Sequence, residues 1–164
     1  MSLNSLDIVS AYNKAEINNV FLQTNKEIAS RYDFKNSNCI VEWTEHQNGF
    51  KITANNQMQL DAIIEIIRKK LAGRNLSQKM MDFSKEAIVS NLKIIQELPI
   101  KQTLDKENLS QISKLIKSNY PKVKLSQTID SLRLSSPSKD ELQSLMLFLK
   151  NQPLDFAISF TNFK

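Results

Sequence analysis

The stretch Arg31–Asn36, RYDFKN, sets a cation, two rings, a carboxylate, a second cation and a carboxamide side by side. The closing stretch Phe160–Lys164, FTNFK, again combines rings, an Asn and a Lys. Such side chains can stack a nucleobase, read its edge through hydrogen bonds and hold a phosphate. They can equally lock a junction, with Tyr32 or Phe34 plugging a core and Asp33 capping a turn or pairing with Arg31. The residue types alone leave both readings open.

Other chemistry is withheld. Backbone cradles for phosphate need glycine for close approach, and the chain has only Gly49 and Gly73. Neither a P-loop nor a dinucleotide-binding fingerprint can be written, so any nucleotide must be held by side chains and strand edges. The single histidine, His46, sits beside a turn, and the single cysteine, Cys39, shares an alternating apolar face with Val41 and Trp43. Glu42 and Glu45 read as solvent-facing, and nothing holds them near a second acid. No nucleophile–base pair, acid pair or Cys/His metal cluster emerges. The expectation is a protein that is not an enzyme and has no cofactor and no metal.

The chain has 164 residues, 41% apolar and 24% charged, enough to bury a core and too mixed for disorder. No run approaches the ~18 apolar residues of a membrane span, and the first ten residues lack a signal-peptide pattern. The reading is a cytoplasmic, non-membrane protein. The net charge of +5 is unevenly placed. Arg68, Lys69, Lys70, Arg74 and Lys79 form one unopposed cluster, and Lys114, Lys117, Lys122 and Lys124 a second. Both suit an anionic partner such as RNA, although cations in a helix's last turn also complement its dipole.

The elements that must position these residues follow from periodicity. SLDIVSAY reads as a strand, and Ile17, Val20, Phe21, Thr24 and Ile28 recur at helical spacing. Alternation over Cys39–Trp43 and Phe50–Ala54, with Gln47–Gly49 supplying positive-φ residues between, predicts a hairpin. Leu60, Ile63, Ile64, Ile67 and Leu71 predict a helix capped at Asn55 or Asn56 and ending near Gly73, and KMMDFS reads as a short strand. The second half repeats the order. A strand over Ile88–Leu98 precedes a helix through Leu109–Ile116, a hairpin from Val123 to Leu134, a helix through Leu142–Leu149 and a strand at Phe156–Phe160. Two β-α-β-β-α-β units result, 1–84 and 85–164. Each is of the α+β, ferredoxin-like kind, an antiparallel sheet with helices on one face. The other sheet face needs an occupant wherever it is apolar.

With those residues in view, the chain resembles the YajQ family of bacterial proteins. SLDIVS at Ser5–Ser10, RYDFKN, SPSKDELQSLM at Ser136–Met146 and FTNFK are similar to that family's motifs, in the same order, over essentially the whole chain. The resemblance implies two ferredoxin-like domains with exchanged first strands, so that SLDIVS pairs in the second unit, and places RYDFKN by the domain junction. It also implies nucleotide binding, with GTP, ATP or cyclic di-GMP as ligand, tRNA or other RNA as an alternative ligand, and a transcriptional regulator as a further partner. The matched positions are Asp7 and Ser10; Arg31, Asp33, Phe34, Lys35 and Asn36; and Asn162, Phe163 and Lys164. Two departures stand out. Asn91, Leu92 and Lys93 replace a Gly-Lys step, and Lys164 replaces the usual Arg, a point charge in place of a bidentate fork.

The leading expectation is a non-enzymatic sensor holding a nucleotide or cyclic dinucleotide in a groove between its domains. Arg31, Lys35 and Lys164 contact phosphate, Phe34 or Phe163 stacks on a base, and Asp33, Asn36 and Asn162 read base or ribose edges. The competing expectation is an RNA-binding module working through the two basic clusters.

Overall fold

The computed structural model describes residues 3–164. Strand β1 (Asn4–Ser10) leads into helix α1 (Lys14–Ser30), whose first turn is held by Asn13, its side chain accepting the Glu16 N–H at 3.2 Å. Strands β2 (Ile40–Trp43) and β3 (Gly49–Ala54) follow, then α2 (Gln57–Gly73), capped by Asn56. A short hairpin, β4 (Ile88–Ser90) and β5 (Lys93–Pro99), precedes α3 (Lys106–Asn119). The chain closes with β6 (Lys124–Gln127), β7 (Leu132–Ser136), α4 (Lys139–Lys150) and β8 (Ile158–Thr161).

Two antiparallel four-stranded sheets result, ordered β6-β7-β1-β8 and β2-β3-β5-β4. The register explains the exchange. Leu6 faces Leu134 and Ile8 faces both Leu132 and Phe160, so the apolar alternation of β1 is satisfied only between β7 and β8. In the same way β5 lies between β3 and β4, with Leu98 opposite Phe50. Each sheet keeps the ferredoxin-like order, but the strand before α1 and the strand before α3 have changed places. The compact units are therefore Tyr12–Lys101 and the chain up to Ala11 together with Gln102–Lys164. The division after residue 84 follows sequence order, whereas these units follow the exchanged strands.

Each unit has its own core. Leu6, Ile8, Ile112, Leu134, Leu142 and Leu145 are fully buried in one. In the other, Ile17, Val20, Phe50, Ile52, Leu60, Ile63 and Ile67 are buried, and Phe21 stacks on Trp43 with ring centroids 4.8 Å apart.

Three local expectations differ. The single strand over Ile88–Leu98 is a hairpin, because Asn91 and Leu92 both take left-handed φ, 51° and 65°, and turn the chain in two residues. KMMDFS forms a 3-10 turn at Gln78–Met80 and one bridge from Met81 to Ile100, too short to be a strand. Between β2 and β3 the left-handed residues are His46 and Gln47, and Gly49 has no positive φ. Gly49 serves close approach. A Cβ there would lie 2.5 Å from the Leu98 carbonyl oxygen and 2.9 Å from Pro99 Cα, both backbone atoms of β5. Gly49→Ala should cost about 1–3 kcal/mol by overpacking this strand contact. Chemical denaturation checks this, and an unchanged midpoint would contradict it.

Candidate functional site

The residues after α1 are shaped by the way the helix stops. Arg31 caps it with extended φ/ψ, its N–H still donating to the Glu27 carbonyl, and Tyr32–Phe34 make one 3-10 turn. Ser37 closes the turn, its hydroxyl donating to the Phe34 carbonyl at 2.6 Å, and Asn36 takes a left-handed φ of 62°. The turn sorts the two rings. Phe34 is 4% exposed and packs inward, while Tyr32 is 87% exposed.

Arg31 is committed within the protein. Its Nε and Nη2 donate to the two oxygens of Asp33 at 2.9 and 2.7 Å, and its guanidinium lies 5.3 Å from the centre of the Phe34 ring. Glu27 accepts a third contact from Nη1 at 3.5 Å and pairs at 2.9 Å with Lys70 of α2. The Arg31 fork holds the Asp33 carboxyl below the ordinary carboxylate range, and Lys70 does the same for Glu27. This chain of charges ties the end of α1 to α2.

Asp7 anchors a second such cluster. It stands on the face of β1 opposite Leu6 and Ile8, level with Arg133 on β7 and Thr161 on β8. Arg133 forks onto it with Nε–Oδ1 at 2.9 Å and Nη2–Oδ2 at 3.2 Å, and the Asn162 amide donates to Oδ2 at 2.9 Å. Asn162 can reach because it interrupts the ladder. Asp7 pairs with Thr161, yet Ser5 pairs with Lys164, so one extra residue is inserted, and Asn162 takes a φ of 54°. Phe163 turns to the core of its unit and Lys139 lies 5.6 Å from its ring centre, while the backbone of Lys164 exchanges two hydrogen bonds with Ser5. Ser10 lies at the end of β1, level with Ile158.

The remaining motif residues border an open space. A cleft of about 540 Å³ lies between α1 and β2, with Ile28, Ala29, Phe34 and Ile40 as its apolar lining and Asn25, Lys35, Asn36, Ser37 and Cys39 as its polar lining. Asn25 is spoken for, pairing with both the N–H and the carbonyl of Val41, and the Cys39 thiol donates to Gln59 at 3.2 Å. Among the described residues the side chains of Lys35 and Asn36 make no hydrogen bond or ion pair; Lys35 sits 6.0 Å from the centre of the Tyr32 ring. Thus the structure brings Phe34, Lys35 and Asn36 to one cleft and ties Arg31 to Asp33 and Asp7 to Asn162. Asn25, Ser37, Cys39 and Ile40 were not anticipated as lining residues. The i to i+16 link between Asn25 and Val41 is tertiary and leaves no local pattern.

The basic clusters separate as well. Arg68 lies 4.0 Å from the centre of the Phe83 ring and donates to Gln78, Lys70 pairs with Glu27, and Arg74 with Glu16 at 3.1 Å. Lys114, Lys117, Lys122 and Lys124 are exposed and make no ion pair among the described residues. No group of three metal-ligating side chains occurs among the described residues, and no helix there is long and apolar enough to cross a membrane.

The Asp7 cluster generates a pH prediction. Hydrogen bonds from Arg133 and then Asn162 lower the Asp7 pKa, so its stabilisation is present above the unfolded-state pKa and is lost as pH falls through the folded one. Asp7→Asn should therefore be less stable than the parent at pH 7, with the gap closing in acid below the ordinary carboxylate range. A gap that is constant from pH 7 to pH 2 would contradict the assignment.

A sequence model described as nucleotide-binding protein YajQ-like matches residues 4–164. A nucleotide-binding protein of Trichodesmium erythraeum is 38% identical over 163 residues, 99% of each chain. One of Nostoc punctiforme is 38% identical over 160 residues, 98% of this chain and 97% of its own. One of a Nocardioides species is 35% identical over 165 residues, the whole of both chains. Identity at this level along the full length, together with the family match over residues 4–164, places the chain in the YajQ-like family of nucleotide-binding proteins.

Proposed function

We propose that this chain is a non-enzymatic protein that binds a nucleotide or cyclic dinucleotide in the α1–β2 cleft. The observation that carries the reading is that an uncommitted ammonium and an uncommitted carboxamide, Lys35 and Asn36, stand together on a partly apolar cleft. The cleft volume of about 540 Å³ falls within the ~300–1,000 Å³ of small-molecule sites. Lys35 meets a phosphate as a mobile point charge, Asn36 pairs with a base or ribose edge, and the exposed Tyr32 ring is free to swing onto a base. Phe34 is too buried to stack over its full face and serves as cleft floor. Arg31 and Asp33 hold the turn in shape.

With both Asp33 oxygens already accepting from Arg31, that carboxylate selects guanine only weakly, and a carboxamide pairs with either purine. Cyclic di-GMP, GTP and ATP are accordingly the ligands to compare. Titration calorimetry with each should give saturable binding to one of them, weakened about tenfold by Lys35→Ala, the ~1.4 kcal/mol of one charge-assisted contact. Arg31→Ala should instead lower thermal stability and weaken binding only through the turn. Unchanged affinity in Lys35→Ala and Asn36→Ala would remove the ligand from this cleft.

The exposed Lys114–Lys124 cluster supports RNA as a second ligand. On that reading Lys122→Glu with Lys124→Glu lowers RNA affinity and flattens its salt dependence by about one unit per lost phosphate contact. Equal salt slopes in parent and variant would exclude it.

A further inference from the structure

The turn that follows α1 decides how much anion the α1–β2 cleft can hold. The Ser37 N–H donates to the Phe34 carbonyl at 3.1 Å, with Lys35 at φ −61° and ψ 133° and Asn36 at φ 62°, which makes Phe34–Ser37 a type II turn. The Asn36 N–H, in the central peptide of that turn, donates to no acceptor among the described residues. The other polar groups of the cleft are spent. The Ser37 hydroxyl donates to the Phe34 carbonyl and accepts from the Cys39 N–H, Asn25 is paired with Val41, and the Cys39 thiol with Gln59. What remains is one ammonium, one backbone N–H and one carboxamide, all on the two consecutive residues Lys35 and Asn36.

Charge around the cleft is as sparse. Among the described lining residues Lys35 is the single cation, and none is a glycine or carries a carboxylate. Arg31 gives Nε and Nη2 to Asp33, and Lys26 and Lys70 line a different groove, between α1 and α2. Without glycine, further backbone N–H groups cannot come as close as the cradle of a triphosphate requires. Without a carboxylate, the lining offers nothing to the magnesium ion that accompanies a triphosphate. One phosphate group exhausts these donors.

We infer that the cleft engages one phosphate group of its nucleotide, and that phosphates beyond the first stay in solvent and add nothing to affinity. The inference rests on the nucleotide reading of the cleft. It narrows the ligand to a base carrying one phosphate, as a mononucleotide or as one half of a cyclic dinucleotide. Calorimetric titration of the full chain with the nucleosides, monophosphates and triphosphates of guanine and adenine, and with cyclic di-GMP, is the test. For the base that binds, adding the first phosphate to the nucleoside should tighten binding about tenfold or more, through a charge-assisted contact. Passing from mono- to triphosphate should change affinity by no more than about threefold, because the added charges are screened by water and salt. Lys35→Ala should erase the first step and leave the second as small as in the parent. With both steps as stated, tighter binding of cyclic di-GMP than of GMP assigns the ligand to a diester, and the reverse to a mononucleotide. A triphosphate bound about ten times more tightly than its monophosphate overturns the inference and leaves the nucleotide reading intact. A nucleoside bound as tightly as its monophosphate overturns it too, and absence of binding by every ligand removes the nucleotide reading with it.

Discussion

Strand β1 joins β7 to β8, and β5 joins β3 to β4. Each of these joining strands comes from the part of the sequence whose helices belong to the other sheet. Neither half of the sequence can complete a sheet alone, because cutting out β1 leaves β8 with no neighbour and exposes Leu134 and Phe160. The pairing is fixed by side-chain parity. Leu6 and Ile8 reach the core only in the observed register, and a slip of one residue would bury Asp7.

That constraint organises the polar clusters. Asp7 enters on the exchanged strand, and its partners, Arg133 and Asn162, arrive from positions more than a hundred residues away. The inserted residue at Asn162 turns an ordinary edge pairing into a three-membered lock. The Arg31–Asp33–Glu27–Lys70 chain works locally, fixing the turn after α1 against α2. Motifs so rich in charge are thus divided between holding the fold and lining a cleft. Of the described motif residues, Lys35 and Asn36 keep polar groups uncommitted on the α1–β2 cleft.

Much of the architecture is legible in the sequence because apolar periodicity reports burial directly. Val20, Ile28, Ile63, Ile112 and Leu145 sit in the core where their spacing puts them, and the order of helices and strands follows. The hairpin at Asn91–Leu92 is not legible, since Leu carries no signal for a left-handed turn and Ile88–Leu98 reads as one apolar run. Nor can residue type tell a lock from a pocket. Arg31 and Lys35 look alike in RYDFKN, and the fork onto Asp33 with the contact to Glu27 separates them. The cleft itself depends on Asn25 holding the β2 edge, a contact between residues that no local pattern connects.

The account rests on ligand occupying the α1–β2 cleft, and amide chemical-shift mapping of the full chain during titration with cyclic di-GMP, GTP and ATP addresses this most directly. The prediction is that the ligand that binds shifts the amides of Lys35, Asn36, Ser37 and Cys39 most, with smaller changes at Asn25 and Ile40. Saturable binding whose largest shifts fall elsewhere, with these amides unmoved, would contradict it.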